Sequence, residues 1–412
     1  MKILYYNALF LAAIAIVFEV IFGAWFFDWP YHSKVIDYTS CKNDLTYWAY
    51  CPGQTSVNRM APEDGGEWID NHVNRSAVRV ATAKEMIKKT DFDAYTIYLT
   101  GDSFIQSDEV DFDETVGAWI EKTTDRKTLQ NGYSSWAAIQ YMNYLTTIDF
   151  KARDDVLVFL NITDFSPHNQ NSNHYWRQKG QELPNGKGFR FTLTEEELQN
   201  NQKNSQYGDW MERSIIVRLY STAKKKIDSL TKQARGVEQY SMHDDWKDYE
   251  QYNDVITQVQ NDCSLLTNKY ANVSPALKDY LVYAFDEKCW PESFKGPYLS
   301  AMKDLQKLSN HVTSRGAKLH IVLFPMGWGL TNEGVISKQH PYYSMGPDAI
   351  ITTLGVIPAL ERDLPAANIL ELETILNHHN SEAPNDLYFT VDSHWNAKAQ
   401  KIIGEWLGNQ LM

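Results

Sequence analysis

Apolar runs along the chain predict five strands, at residues 95–100, 126–130, 155–161, 318–324 and 368–372. The third run, DVLVFLN, is continuously apolar between its polar ends, which is typical of a strand buried on both faces. Apolar residues at helical spacing follow at 116–122, 136–145, 299–314, 357–362 and 397–411. Strands that alternate with helices are typical of a parallel sheet with right-handed crossovers, so the predicted fold class is α/β.

Three segments interrupt this alternation and suggest how the chain is divided. Residues 1–27 are almost wholly apolar, and residues 28–90 are rich in Trp, Tyr, Asn, Asp and Gly without clean periodicity. We interpret the second segment as an irregular lead-in packed on the main domain. The alternation stops at residues 165–296, a polar stretch with helical patterns near 195–201, 211–230 and 244–259. We interpret it as a mainly helical insertion or cap between the two parts of the α/β domain, 91–164 and 297–412.

The amino-terminal run 3–27 contains a single charge, Glu19, and no proline. Its 25 residues can cross a hydrocarbon core roughly 30 Å thick. The run is longer than the apolar core of a signal peptide, which favours an uncleaved transmembrane anchor; Phe22-Gly23-Ala24 keeps cleavage open as an alternative. Lys2 indicates a cytoplasmic amino terminus, which predicts a periplasmic or extracytoplasmic main domain. Glu19 either contacts another membrane protein or reaches water at the outer boundary.

Charge and cysteine content narrow the function classes. The chain has 39 basic and 52 acidic residues, a net charge of −13, which disfavours nucleic acid as a partner. Four cysteines fit an exported protein, and of the three pairings we favour the local one, Cys41 with Cys51 and Cys263 with Cys289. No Cys-x-x-Cys or Cys/His set is present in the sequence, and no metal is predicted.

The first candidate for chemistry is Gly101-Asp102-Ser103, directly after the strand predicted at 95–100. A serine at the carboxyl end of such a strand lies where open α/β sheets place their ligands. It can act as a nucleophile if a histidine and a carboxylate reach it in space. The alternative is an ordinary turn.

The second candidate is Asp392-Ser393-His394, in the loop before the last predicted helix. His394 can accept the Ser103 proton, and Asp392 can orient the imidazole ring. In the alternative interpretation Asp392 caps the last helix and His394 is a surface residue. His378 and His379 are weaker candidates for the base, because no carboxylate accompanies them in a comparable block.

Four blocks in this order resemble the SGNH superfamily, also called GDSL-type hydrolases: Gly101-Asp102-Ser103, then Gly132, then Asn161, then the Asp392/His394 pair. The resemblance implies a flavodoxin-like three-layer α/β/α sandwich, with Ser103 as the nucleophile and no cofactor. It also implies an oxyanion hole formed by the backbone N–H groups of Ser103 and Gly132 and the side-chain amide of Asn161. Three donors around one point would stabilise the developing negative charge.

The last block departs from the usual Asp-x-x-His of the superfamily. Asp392-Ser-His-Trp395 is similar to the block of alginate-type polysaccharide O-acetyltransferases, which are exported and often membrane-tethered. This similarity implies an esterase or O-acyltransferase acting on acyl, above all acetyl, esters of a cell-surface polysaccharide. Trp136, Trp328 and Trp395 then become candidates for stacking on sugar rings, with core packing as the alternative.

Two other functions remain open from the sequence. One is an esterase or thioesterase directed at lipids near the membrane. The other is a non-enzymatic binding or assembly module on a degenerate hydrolase fold, partnered through the helix that carries Glu19.

Overall fold

The computed structural model describes most of the predicted α/β domain. The described residues are 40–43, 46–59, 68–165, 282–325, 353–382, 386–389 and 394–412, with Phe10 and Cys263. Asp392, Trp328, nearly all of the amino-terminal run and most of the insertion therefore lie outside them. No helix among the described residues is long and apolar enough to cross a membrane.

The described strands are β1 Ser40–Asn43, β2 Tyr47–Tyr50, β3 Thr55–Arg59, β4 Trp68–Val73, β5 Arg79–Val80, β6 Ile97–Thr100, β7 Thr128–Gln130, β8 Asp155–Leu160, β9 Lys318–Leu323 and β10 Ala367–Glu371. The described helices of four or more residues in α-conformation are α1 Ser103–Gln106, α2 Val116–Thr124, α3 Ala138–Leu145, α4 Glu292–Thr313, α5 Ile357–Asp363, α6 Glu373–Glu382 and α7 Ala397–Leu411.

Five parallel strands form the central sheet, in the order β7-β6-β8-β9-β10. All five coincide with predicted strands to within two residues at each end, and the α/β fold class is confirmed. Every residue of β8 is buried, as its uninterrupted apolar run predicts. Because β8 pairs directly with β9, segments 91–164 and 297–412 build one sheet even though the insertion separates them in the chain.

Successive residues of each strand point to opposite faces of the sheet, so buried strands need cover on both sides. Helices supply that cover on each face. One core contains Val156 and Val158 of β8 together with residues of α3 and α4. The other contains Leu157 and Phe159 together with residues of α2 and α7. On the second face α7 approaches α2 closely, since a Cβ at Gly408 would lie only 2.6 Å from Thr123 Cβ.

Three helices differ from the prediction, and the first of them, the short α1, has no predicted counterpart. α4 begins at Glu292, well before the predicted start at residue 299, and runs through Pro297. Pro297 is the sixth residue of the helix, beyond the first turn, so the helix lacks the backbone hydrogen bond that another residue there would donate to Ser293 O. α6 was not predicted, since Ile375 and Leu376 are the main apolar residues in a segment that otherwise reads as polar.

The lead-in at 28–90 contains more regular structure than the sequence predicts. β1 and β2 form a hairpin, and β3, β4 and β5 form a three-stranded antiparallel sheet, called here the N-terminal sheet. Its strands are short, and Asn58 and Asn71 are buried within them. Buried polar residues disrupt the alternation of apolar and polar positions by which half-buried strands are recognised.

Cysteine pairing agrees with the prediction where it is described. Cys263 and Cys289 are joined by a disulfide, which attaches the insertion to the segment before α4. Cys51 is also disulfide-bonded. The side chain of Cys41 lies outside the described part of the chain.

Candidate active site

Ser103 begins α1 immediately beyond the carboxyl end of β6. Asp102 is the N-cap of this short helix, and its Oδ1 accepts a hydrogen bond from Phe104 N at 3.0 Å. The cap holds Ser103 as the first helical residue, so its hydroxyl is presented at the carboxyl edge of the parallel sheet. Beneath it Phe104 is buried against Phe324 and Trp395.

His394 contacts Ser103, although the two residues lie far apart in the sequence. Its Nε2 lies 2.7 Å from Ser103 Oγ although 291 residues separate the two in the chain. The imidazole ring packs on Phe104, with ring centroids 4.7 Å apart. A β-bridge between Tyr388 and Trp395 supports the loop that carries the histidine. The predicted contact between serine and histidine is therefore present.

The competing interpretations of this loop are wrong. Asn396, rather than Asp392, is the N-cap of α7, and its side chain accepts from Ala399 N. The His394 side chain is only 13% exposed, so it is not a surface residue. His378 and His379 lie on α6 with their rings against each other, and the histidine that contacts Ser103 is His394.

Gly132 follows β7 and lies against the turn before Ser103. Asn131 N and Tyr133 N donate to Leu99 O and Gly101 O, at 3.0 and 3.2 Å. A Cβ at Gly132 would lie 2.8 Å from Gly101 O and 2.9 Å from Asp102 O. Only glycine therefore fits here without displacing the backbone that carries the serine.

Asn161 follows β8 and contacts the same turn from the other side. Its Nδ2 donates to Asp102 Oδ2 at 2.7 Å, and its Oδ1 accepts from Thr163 N, also at 2.7 Å. Thr163 Oγ1 donates to the same oxygen. The amide is consequently held in one orientation, and one of its two N–H groups is not used by Asp102.

Two buried carboxyl groups lie behind Asn161. Asp164 Oδ2 accepts from Asn161 N at 3.1 Å, and the Tyr141 hydroxyl lies 3.3 Å from Asp164 Oδ1. Burial raises the pKa of Asp102 to about 6, although hydrogen bonds from Phe104 N and Asn161 and the charge of His394 oppose the rise. Burial, reinforced by the neighbouring Asp102 charge, raises the pKa of Asp164 well above its ordinary value. The site therefore contains carboxyl groups that resist ionisation.

One carboxylate near His394 is not predicted from the sequence. Glu109 Oε1 lies 3.6 Å from Nδ1 of His394, and the Glu109 side chain is 3% exposed. Nothing in the sequence marks this residue, because its neighbours Ser107 and Asp108 belong to no recognisable block. Asp392, the residue predicted for this position, lies outside the described residues, and its role stays a prediction.

The aromatic residues proposed to bind sugar require a correction. Trp136 is 1% exposed and packs against Tyr133 and Tyr144, while Trp395 is fully buried against Phe104. A buried indole offers no face to a substrate, so both tryptophans are core residues. Trp328 lies outside the described residues.

The described residues contain no cluster of three or more metal-ligating side chains. Comparison with protein-family models finds no match for this chain, and comparison with curated proteins finds no significant match. A functional assignment must therefore come from the geometry of the residues around Ser103.

Proposed function

We propose that the protein is a serine esterase or O-acyltransferase that works through an acyl-serine intermediate. The observation that carries the proposal is the 2.7 Å contact between Ser103 Oγ and His394 Nε2 at the carboxyl edge of the parallel sheet. Nucleophile and base within hydrogen-bond reach are the minimal requirement for this chemistry. In chain order the sheet strands are arranged 2-1-3-4-5, the order of flavodoxin-like folds, which is consistent with the resemblance to SGNH hydrolases.

The first half of the reaction uses His394 as a base, and Asp392 is the residue proposed from the sequence to orient its ring. Ser103 Oγ attacks the carbonyl carbon of an ester while its proton moves to Nε2 of His394. When the tetrahedral intermediate collapses, the bond to the leaving oxygen breaks and the same proton passes to that oxygen. Ser103 is left as an acyl ester. Water or a sugar hydroxyl then attacks this ester, with His394 again taking and returning the proton.

Three donors are proposed to stabilise the negative charge that develops on the substrate oxygen. The Ser103 N–H belongs to the first turn of α1, where backbone N–H groups lack helical acceptors. The Gly132 N–H and the second N–H of Asn161 come from the neighbouring strand ends. Gly132 and Asn161 both touch the Gly101–Asp102 turn, which supports their joint action as an oxyanion hole.

The proposed substrate and location rest on features of the sequence. The apolar run 3–27 supports an anchored protein whose main domain is extracytoplasmic, and the Cys263–Cys289 disulfide is the kind of bond that persists in such a compartment. The Asp-Ser-His-Trp block favours acetyl esters of a cell-surface polysaccharide. Glu19 is the proposed contact to a membrane partner.

Covalent labelling tests the proposal. A fluorophosphonate probe should modify Ser103 of the full chain, identified by peptide mass, and Ser103→Ala and His394→Gln should each abolish the labelling. Ser314→Ala, at an exposed serine, is the matched control and should label as the wild type does. A wild-type chain that does not label would instead support a binding module without catalysis.

A second assay separates the two enzymatic outcomes. Incubation with acetylated surface polysaccharide should release acetate if water is the acceptor. Transfer of labelled acetyl groups to deacetylated polysaccharide would identify a transferase. Acyl release from a lipid ester or thioester, with none from polysaccharide, would replace the glycan assignment with a lipid one.

A further inference from the structure

Glu109 is a buried carboxylate beside the ring nitrogen of His394 that does not face Ser103. Its Oε1 lies 3.6 Å from Nδ1, which is within ion-pair distance but longer than a hydrogen bond. Catalytic contacts are often long before substrate binds and tighten later. Since Nε2 faces Ser103 Oγ, the neutral ring can accept the serine proton only if its own proton is on Nδ1, the side that Glu109 faces.

The N-terminal sheet holds the residues on both sides of Glu109. From β5, Arg79 Nη1 donates to Ser107 O and Nη2 donates to Val110 O, the latter at 2.6 Å. Asn58 of β3 and Asn71 of β4 both donate to Asp108 O, at 3.1 and 3.2 Å.

The Asp108 side chain is fixed as well. Its Oδ1 accepts from the Tyr50 hydroxyl, and its Oδ2 accepts from Gln106 Nε2 at 2.8 Å. Both carboxylate oxygens of Asp108 therefore accept hydrogen bonds from Tyr50 and Gln106. The adjacent carboxylate, that of Glu109, is the one that approaches His394. A buried loop held by this many bonds has little freedom to move the Glu109 carboxylate away from His394.

We propose that Glu109 is a positioning residue for His394, and that the N-terminal sheet serves to hold it in place. The inference rests on the proposed function and deepens it. As the Ser103 proton moves to Nε2 and the Oγ–C bond forms, the imidazole becomes a cation. The Glu109 carboxylate stabilises that cation through Nδ1–H and keeps the ring in the tautomer that the reaction needs. Glu109 itself neither gains nor loses a proton.

The test compares variants of the full chain that differ by one carboxylate. Glu109→Gln preserves the side-chain volume and removes the charge, Glu109→Asp keeps the charge on a shorter stem, and Asp111→Asn removes an exposed carboxylate two residues away as the control. The probes are a fluorophosphonate, whose rate of labelling reports Ser103, and 4-nitrophenyl acetate, for kcat and KM. Thermal unfolding of each variant shows whether it is folded.

Glu109→Gln should slow labelling and kcat by at least ~10-fold, short of the ~10⁴-fold loss seen when a triad carboxylate is removed elsewhere. KM should stay within about twofold, because the interaction strengthens only as the cation forms. Glu109→Asp should recover part of the rate, and Asp111→Asn should match the wild type. If Glu109→Gln is not folded, Glu109→Asp is compared with Asp111→Asn instead: a kcat below that of Asp111→Asn supports the proposal, and an equal kcat overturns it.

Titration of His394 gives a readout independent of activity. Among the described residues, the charged groups close to the His394 ring are Glu109 and Asp102, the second of which lies behind Ser103. In ¹⁵N-histidine spectra, assigned with His394→Gln, the His394 signal of Glu109→Gln should titrate at lower pH than in the wild type, because a stabilising negative charge has been removed.

The two proposals fail in different ways. A wild type that does not label overturns the proposed function, and the His394 titration then decides the positioning role alone. A wild type that labels, with Glu109→Gln reacting within twofold of it and His394 titrating unchanged, overturns the role of Glu109 while the function stands.

Discussion

Asn161 donates a hydrogen bond from Nδ2 to Oδ2 of Asp102 over 2.7 Å. The contact connects the end of β8 to the turn that presents Ser103, and it leaves the second N–H of the Asn161 amide unused by Asp102. Because Asp102 and Asn161 are both buried, the arrangement cannot be replaced by water without loss. Asn161 is therefore expected to contribute to the rate of reaction beyond any effect on folding.

Asn161→Ala should lower kcat by ~10²–10³-fold with little change in KM, the loss that follows removal of one oxyanion donor. Thr163→Val is the graded control, because it removes the hydroxyl bond to Asn161 Oδ1 and leaves the Thr163 N–H bond in place. Its effect on kcat should be much smaller. Steady-state kinetics on 4-nitrophenyl acetate measures both variants, and an Asn161→Ala enzyme within twofold of the wild type would exclude the residue from the oxyanion hole.

Gly132→Ala should disrupt the site by crowding the backbone. The new Cβ would lie under 3.0 Å from two carbonyl oxygens, of Gly101 and Asp102, and neither can move without moving Ser103. We expect a stability loss of ~1–3 kcal/mol, typical of overpacking, together with loss of labelling at Ser103.

The matched control for that substitution is Gly296→Ala. A Cβ at Gly296 has no atom within 4 Å, and the residue lies exposed in α4. Alanine should leave stability unchanged or raise it by up to ~1 kcal/mol, since glycine is the poorer helix former. Denaturant midpoints measure both variants, and equal midpoints would show that the space around Gly132 can open.

Asp155 should make the domain sensitive to acid. The carboxylate bridges His320 Nε2 at 2.9 Å and Arg126 Nη2 at 2.7 Å at the start of β8. Burial alone would raise its pKa, but the hydrogen bonds and charges of His320 and Arg126 outweigh burial and hold the pKa of Asp155 below its ordinary value. The unfolded chain thus binds this proton more readily than the folded one, so stability rises with pH across that range.

The stabilisation from Asp155 is fully present above the unfolded pKa of about 3.9 and is lost as pH falls through the lower folded pKa. Asp155→Asn should cost roughly 1.5–3 kcal/mol at pH 7, the worth of hydrogen bonds to a charged group, and less at pH 3. Urea unfolding at both pH values measures the difference. Asp149→Asn, in an exposed pair with Arg315, is the control and should change little at either pH. A penalty for Asp155→Asn that is the same at both pH values would contradict the prediction.

Much of the fold was predictable because buried parallel strands leave a strong local signal. β8 and β9 are mostly apolar segments, which is typical of strands buried on both faces, and α7 has the predicted bounds. The N-terminal sheet left no such signal, since Asn58, Asn71 and Arg79 are buried there through hydrogen bonds that form only in the folded protein.

The candidate site divides in the same way. Ser103 and His394 could be named from the sequence because one follows a predicted strand and the other precedes a predicted helix, whereas Gly132 and Asn161 were named through the resemblance to SGNH hydrolases. Parallel strands bring such positions to one edge of a sheet. The burial of Trp136 and Trp395 could not be foreseen, because an indole suits a core and a sugar site equally well.

The sequence alone therefore determined the α/β class, the strand positions and the order of the blocks that contain Ser103 and His394, because these depend on local patterns of apolar residues. Tertiary structure decided which side chains meet. Glu109 approaches Nδ1 of His394 although 285 positions of the chain separate them. This contact depends on the hydrogen bonds from the N-terminal sheet to residues 107–110 and on the packing of α7 against the main sheet. Such contacts come from packing and hydrogen bonding between distant segments, and no local pattern encodes them.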